Sequence, residues 1–497
     1  MGFLLLIETI VHLKPKQLLY QVLSRIHRNR LVMIVAPSIN HKISIVRPIA
    51  KEHCCEGSFF SFLNISDQFL CWNQIEHGML WAYNLNYMDW LGQKDITITE
   101  CECWIEKFIA GLPHNKVGLD PYPIALRTVN WIKFFSLQPK TQTQRWNDIL
   151  YSQVKLLENR LEYWLLGNHL LEDAYALFMA SIYFCEKRLY HKASKLLQEQ
   201  LTEQVLPDGA HYEQSPMYHC ILLDRLLDCY NFSNNNDLFE DQYCITSFLK
   251  RKAELMLGHL MAVIYKDGSI PLLNDAVMGI APPAQMIFDY ASRLGLKWNL
   301  IPMKECGYRK LEYHGLEAIV DVGNITASYQ PGHSHADALN FELRIDGNPF
   351  IVDTGISTYD KTPRRQYERS TVAHNTVVVN GKDSSRVWGG FRVGKRCKVR
   401  LVKDCSSEII AWHDGFKKKC ERKFTMIDDA FRVEDYYDGN AVSYIHLAPN
   451  ADIKRIRING AVKIEIIDNH YSVEYNRFIL CKVMKIHFRN SFSFTIQ

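Results

Sequence analysis

The spacing of apolar residues changes once along the chain, near residues 303–312, and that change limits the fold more than any other feature. From about Trp81 to Leu300 apolar residues recur every three or four positions, as in "WNDILYSQVKLLENRLEYWLL", "LEDAYALFMASIYFCEKRLY" and "CILLDRLLDCYNF". Such spacing predicts amphipathic helices. Gly111-Leu112-Pro113, Pro207-Asp208-Gly209 and Lys266-Asp267-Gly268 separate them. From about Leu311 the spacing falls to two, in "LEAIVDVGNITASYQ", "ALNFELRIDGNPFIVDTG", "NTVVVNG", "CKVRLVKD", "EIIAWHDG" and "FTMIDDAFRVEDYYDG". These predict short strands, with hairpin turns at Asp346-Gly347 and Asn380-Gly381. Many strands without intervening helices point to an antiparallel β-sandwich. The expected organisation is a basic N-terminal segment over 1–80 that packs on the helices, an all-α domain over 81–305 and an all-β domain over 306–497. Paired helices can close into a toroid of hairpins without visible sequence repetition.

Composition narrows the class. Hydrophobic residues make up 47% of the 497 and charged residues 23%, which excludes disordered and fibrous chains. No apolar run reaches the ~18 residues of a membrane span. The opening "MGFLLLIETIVHLKPKQ" has no basic start and meets Glu8 early, so it reads poorly as a secretory signal. Fourteen cysteines are scattered without a CxxC pattern, and most are expected as buried thiols. Charge is uneven. Residues 1–50 carry seven Lys/Arg against Glu8, and residues 361–400 carry eleven against Glu368 and Asp383. Basic patches of this kind suit an anionic partner. Neither contains a nucleic-acid recognition module, so nucleic acid is not expected. Leu13, Leu18, Leu19, Val22, Leu23 and Ile26 fall near one face of a helix that is expected to dock on the helical half.

Three stretches carry residues suited to chemistry. In "YQPGHSHADALNFEL", His333 and His335 lie two apart and share one side if the segment is a strand. With Asp353 in "FIVDTG" and His374 in "STVAHNT", histidine and carboxylate can close three corners of a tetrahedral metal site, for which zinc is the best match and iron or manganese are alternatives. In "GNHLLEDAYALF", Asn168, His169 and Glu172 share a helix face, though Asn168 also suits an N-cap. In "PDGAHYEQSPMYH", His211, Tyr212, Glu213, Tyr218 and His219 crowd a loop-to-helix passage. Arg364, Arg365 and Arg369 in "KTPRRQYERS" can grip carboxylate or sulfate if their loop folds over a cleft.

Taken together these stretches resemble the heparinase II/III family of polysaccharide lyases over roughly residues 100–420, most specifically 329–381. The resemblance implies an incomplete (α/α) toroid followed by a C-terminal antiparallel β-sandwich, and β-elimination on an acidic polysaccharide. It implies Tyr218 and His333 as the proton-transfer pair, with Asn168, or His169 with Glu172, at the substrate carboxylate. Tyr212, Glu213 and the three arginines are expected to bind substrate. His335, Asp353 and His374 are expected to hold one divalent metal, zinc by the resemblance, in a structural role. The opening segment is similar to members associated with surface-polysaccharide assembly, which favours the cell envelope and leaves the cytoplasm open.

Other activities suit parts of the same pattern. A uronate C5-epimerase shares the first proton abstraction. A glycan-binding assembly factor would need no turnover. A glycoside hydrolase needs two carboxylates facing across the cleft, for which Glu172 and Glu213 are the candidates. Neither the sugar, nor the base among Tyr218 and His333, nor the oligomeric state is legible in the sequence.

Overall fold

The computed structural model describes residues 2–26, 30–141, 143–427 and 429–497. Twelve α-helices are described: α1 (Gly2–Ile10), α2 (Pro15–Ile26), α3 (Met79–Tyr87), α4 (Ile98–Gly111), α5 (Pro121–Leu137), α6 (Gln144–Glu158), α7 (Gly167–Tyr183), α8 (Lys187–Gln204), α9 (Pro216–Asn235), α10 (Gln242–Val263), α11 (Ala284–Arg293) and α12 (Pro363–Glu368). Among the described residues, none is long and apolar enough to cross a membrane.

Helix α7 is central to the helical half. Every residue from Leu170 to Tyr183 is buried. A helix apolar on all sides must be enclosed by others, and α5, α6, α8 and α9 all pack on it. Each fully buried side chain such as Leu171 or Phe178 contributes about 1.5–3 kcal/mol. Its neighbours are amphipathic: α6 buries Trp146, Leu150, Val154 and Leu157 and leaves its polar face in water.

The last long helix ends at Arg293 and the first strand of the C-terminal half begins at Tyr308. Eleven strands form one connected sheet in which the described neighbours pair antiparallel. Its long members, Ala430–Leu447, Ile456–Tyr471 and Ile479–Ile496, lie side by side. The Asp346-Gly347 turn joins Phe341–Ile345 to Asn348–Ile351, with φ of 50° and 77° at its two residues. Asn380-Gly381 likewise turns at φ 53° and 63°. Both are positions where Asn, Asp and Gly tolerate the left-handed backbone. Phe341, Phe424, Phe431 and Phe494 fill the buried face. Arg422 is buried in a bidentate pair with Asp435 (2.6 and 2.7 Å) and donates to the carbonyls of Leu339 and Asn375. It thereby ties together the loops that lead to His335 and His374.

Three short strands, Cys55–Glu56, Phe59–Phe62 and Ile65–Gln68, form a small separate sheet in the N-terminal segment. Sequence periodicity gives no sign of it. Before it, the extended chain binds the helices through side-chain caps on its backbone: Ser152 takes Ile34 N–H, Asn231 takes Val46 N–H and Asn236 takes Ser44 N–H. The expected docking face of α2 is not the one used. Leu19 and Val22 are each 58% exposed, whereas Gln17 is buried and donates to the carbonyls of Leu165 and Tyr329. The polar residue faces inward because unpaired carbonyls await it there. The side chain of Ile26 lies outside the described residues.

Candidate active site

A cleft of about 1210 Å³ opens between the helical half and the sheet half. Tyr218, His333, Asn168, His169 and Tyr359 line it. They come from α9, from the loop after strand Leu316–Asp321, from the start of α7, and from the loop before α12. Residues 115 positions apart in sequence thus meet: the rings of Tyr218 and His333 stack with centroids 3.9 Å apart and planes at 28°. Ser215 caps α9 by accepting Tyr218 N–H, which fixes the tyrosine in the first turn.

Asp275 organises the site. It lies in the connection between α10 and α11 and is fully buried. One carboxylate oxygen faces His333 Nδ1 at 2.9 Å and the other faces His335 Nε2 at 2.8 Å. Arg365 clamps both oxygens at 2.5 and 2.7 Å. Burial alone would raise its pKa, but the Arg365 charge and the two imidazole contacts hold it well below the usual carboxylate range. A permanently ionised Asp275 accepts the proton on His333 Nδ1, leaving Nε2 as the basic nitrogen. The HxH residues sit in a loop, not on a strand. They face the same way because both reach Asp275.

Asn168 is not an N-cap. Leu166 occupies that position with φ 63°, and Asn168 lies inside the helix. Its backbone N–H and its Nδ2 both donate to Glu213 at 2.9 Å, and Nδ2 stands 3.2 Å from His333 Nε2. Its Oδ1 is buried without a partner. Gly167 (φ 59°) makes this possible, since a Cβ there would collide with Glu213 Oε1. His169 faces Glu162 at 3.0 Å and packs on Tyr122. Burial works against its charge, yet Glu162 prevails and raises its pKa. Burial, helped by the charges of Asp275 and Glu213, pushes the Tyr218 phenol up despite the Tyr359 hydrogen bond and Arg365. It therefore keeps its proton at neutral pH. Tyr359 Oη donates to Tyr218 Oη at 3.4 Å.

Several expected substrate contacts are placed elsewhere. Arg365 is buried on Asp275, and Arg369 is buried with its guanidinium on the carbonyls of Ser334 and Arg392. Arg364 pairs with Glu368 at 2.7 Å. None of the three lines the cleft. Buried carboxylate and carbonyl groups claim them before substrate can. Tyr212 is also buried, bonded to Tyr329 through its hydroxyl at 3.0 Å. Glu213 is buried and holds Asn168 in place. Glu172 is buried one turn beyond Asn168, 3.8 Å from Arg225, and burial raises its pKa to about 7. Neither glutamate lines the cleft, so they do not form a glycosidase pair.

His374 Nδ1 faces Asp353 at 2.7 Å, and Asp353 also accepts from Asn340 and from Gly355 N–H. The rings of His335 and His374 are 5.2 Å apart, and His335 Nδ1 and His374 Nε2 are buried without partners. Two such nitrogens beside a carboxylate fit a zinc-type ion in kind. Among the described residues, however, the three side chains do not gather one donor atom each within 4.8 Å of one another.

Asp275 and Tyr359 are not marked by any sequence motif. Asp275 lies in "PLLNDAVMG", which carries no period and no second acid. Its only local signal is Asn274, whose φ of 58° marks a strained turn that the sequence alone does not flag.

The helical and sheet halves match the two models of one family: residues 136–290 match heparinase II/III N-terminus, and residues 296–479 match heparinase II/III-like, C-terminal. Together these span more than half of the chain, which belongs to the heparinase II/III family. Heparin-sulfate lyase from Pedobacter heparinus is 25% identical over 248 residues, 44% of this chain and 36% of that protein. Heparin-sulfate lyase from Bacteroides stercoris is 23% identical over 249 residues, 44% and 36% of the two chains. The alignment thus spans about a third of each relative's length. In fold, the chain is similar to the crystal structure of heparinase III (TM-score 0.61, 15% identity, 83% of this chain and 76% of that one). It is also similar to a heparan sulfate lyase from Pedobacter heparinus (TM-score 0.55, 15% identity, 88% and 80%).

Proposed function

We propose that this protein is a polysaccharide lyase that cleaves a uronate-containing acidic glycan by β-elimination. One observation carries the reading: Tyr218 and His333 stack at the cleft wall, with His333 backed by an ionised, buried Asp275. His333 Nε2 removes the proton on C5 of the uronate. The electron pair forms the C4–C5 double bond, the bond from C4 to the bridging oxygen breaks, and Tyr218 gives that oxygen its proton. Solvent restores both groups. The raised pKa of Tyr218 suits the acid, and the carboxylate behind His333 suits the base.

A positioned base supplies roughly 10²–10⁴-fold, about 3–6 kcal/mol. Stabilising the dianionic intermediate supplies more, about 3–4 kcal/mol for each well-placed donor. Asn168 Nδ2, beside His333, and His169, whose charged form Glu162 favours, are the donors on the cleft wall. Lys51, Lys94, Lys133, Arg225, Arg25, Arg47 and Arg392 also line the cleft, interspersed with Glu52, Asp89, Asp224, Asp267 and Asp360. That modest cationic excess suits a polymer charged mainly through carboxylates. We further take the helices to close an incomplete toroid and the sheet to fold over as a sandwich; His335, Asp353 and His374 would hold a divalent metal, zinc, in a structural role once their donor atoms drew closer together. Surface-polysaccharide metabolism at the cell envelope is the setting that the opening segment favours.

The test is incubation of the purified protein with a panel of uronate glycans while following the ultraviolet absorbance of the unsaturated product. Absorbance on at least one glycan is expected. Deuterium uptake from heavy water into uncut polymer would instead make it an epimerase. Neither signal on any acidic glycan would overturn the reading.

A further inference from the structure

A second cluster lies away from the cleft, where the helical half meets the sheet half. Asp208 sits in the Pro-Asp-Gly turn between α8 and α9, His259 in α10, and Cys306 in the connection before the first strand of the large sheet. All three are buried, and one ligating atom of each lies within 4.8 Å of those of the other two. We propose that they form a zinc-type metal site that staples the two halves together.

The backbone around the cluster is pinned. Gly209 has φ 81°, and a Cβ there would collide with Leu255 O and lie 3.1 Å from His259 Cβ. Only glycine lets the Asp208 turn press this closely on α10. Asp208 Oδ2 accepts the N–H groups of Lys304 (2.9 Å) and Cys306 (3.0 Å), which draws the thiol-bearing segment to the same point. Gly307 (φ 87°) packs directly on Gly323 of the sheet half. The ligands are therefore held by their surroundings before any ion arrives.

One ring nitrogen of the cluster is left unspent. His259 Nδ1 is buried with no hydrogen-bond partner. Among the described residues, no lysine or arginine pairs with Asp208. A divalent ion would neutralise the Asp208 carboxylate and the Cys306 thiolate together and take the free imidazole nitrogen. Thiolate, imidazole and carboxylate are zinc's usual donors. Binding releases the thiol proton to solvent. His219 lies tilted with its ring 5.1 Å from that of His259, but its Nε2 faces Met256 O at 3.0 Å and its Nδ1 accepts His211 N–H at 3.3 Å, so it is not a fourth ligand.

Cobalt(II) tests this directly, because thiolate ligation gives a charge-transfer band that histidine and carboxylate ligands cannot give. A metal at His335, Asp353 and His374 has no sulfur and stays silent in that band, and the result does not depend on lyase activity. The full chain, stripped with a chelator, is titrated with cobalt(II). The band should saturate at one equivalent, disappear when zinc(II) is added, and be absent in Cys306→Ser. As a measurement that needs no variant, zinc(II) should protect Cys306 from alkylation, read by mass spectrometry of its peptide. A folded wild-type chain without the band, an undiminished band in Cys306→Ser, or equal alkylation of Cys306 with and without zinc would each overturn the proposal.

Discussion

Asp275→Asn separates the two tasks that Asp275 performs. In the native protein its carboxylate meets Arg365 at 2.5 and 2.7 Å, with both side chains fully buried. Removing one partner of a buried ion pair leaves the other charge uncompensated and costs about 3–5 kcal/mol. That is a large part of the ~5–15 kcal/mol that holds a typical domain, so the variant should melt well below the wild type yet fold in the cold. Asparagine also offers His333 Nδ1 an amide in place of an ionised acceptor. The imidazole loses its fixed tautomer, and Nε2 ceases to be the basic nitrogen. The equivalent loss in a serine-protease triad is ~10⁴-fold in rate, and a drop in kcat of at least ~10² is expected here, with KM nearly unchanged. The assay is formation of unsaturated product at a temperature where circular dichroism shows the variant folded. Adding Arg365→Met removes the stranded charge, so the double variant should regain most of the stability and none of the rate. A folded Asp275→Asn protein with kcat within tenfold of wild type would refute the reasoning. The pH dependence has its origin in the same contact. The folded pKa of Asp275 lies below its unfolded value of ~3.9. Its stabilisation is complete above that unfolded value and is lost as pH falls through the folded one, so acid unfolding of Asp275→Asn should be less steep than that of the wild type.

Tyr218→Phe keeps the ring stack and removes the acid, so the protein should melt like the wild type while kcat falls by at least ~10²; kcat within tenfold of wild type would remove Tyr218 from the mechanism. Glu213→Gln should loosen Asn168 and lower kcat by about tenfold or more at unchanged fold, with the loss smaller on a substrate whose uronate carboxylate is esterified, as steady-state kinetics on both substrates would show. Glu172 behaves oppositely to Asp275. Its folded pKa, about 7, lies above its unfolded value of ~4.3, so its contribution is fully present below the unfolded value and lost as pH rises through 7. Glu172→Gln should therefore raise the melting temperature above pH 7 and flatten its decline between the two pKa values. A modest cationic lining predicts faster turnover on unsulfated uronate glycans than on heavily sulfated ones at matched ionic strength.

The division into helical and pleated halves was readable because periodicity reports which faces are buried, and burial is what both halves are built to achieve. Tyr218 and His333 were readable because two dense polar-aromatic stretches are costly inside a core unless they serve a site. The roles of the charged residues were not. Whether Arg365 meets substrate or Asp275 depends on a contact 90 positions away in sequence, and local pattern carries no record of it. The same holds for Gln17, whose burial is decided by two carbonyls in distant loops. Asn168 looked like a cap because caps are set by local sequence, but Gly167 turns the backbone so that a distant glutamate takes the amide instead. Cys306 sits in no cysteine motif, and only the packing of the Asp208 turn on α10 shows what surrounds it.

The most direct measurement is a crystal structure of the Tyr218→Phe protein with an acidic oligosaccharide in the cleft. The account predicts one uronate ring whose C5 hydrogen points at His333 Nε2 and whose bridging oxygen lies against the ring of residue 218, with the carboxylate at Asn168 and His169. An oligosaccharide whose uronate C5 faces neither His333 nor residue 218 would contradict it.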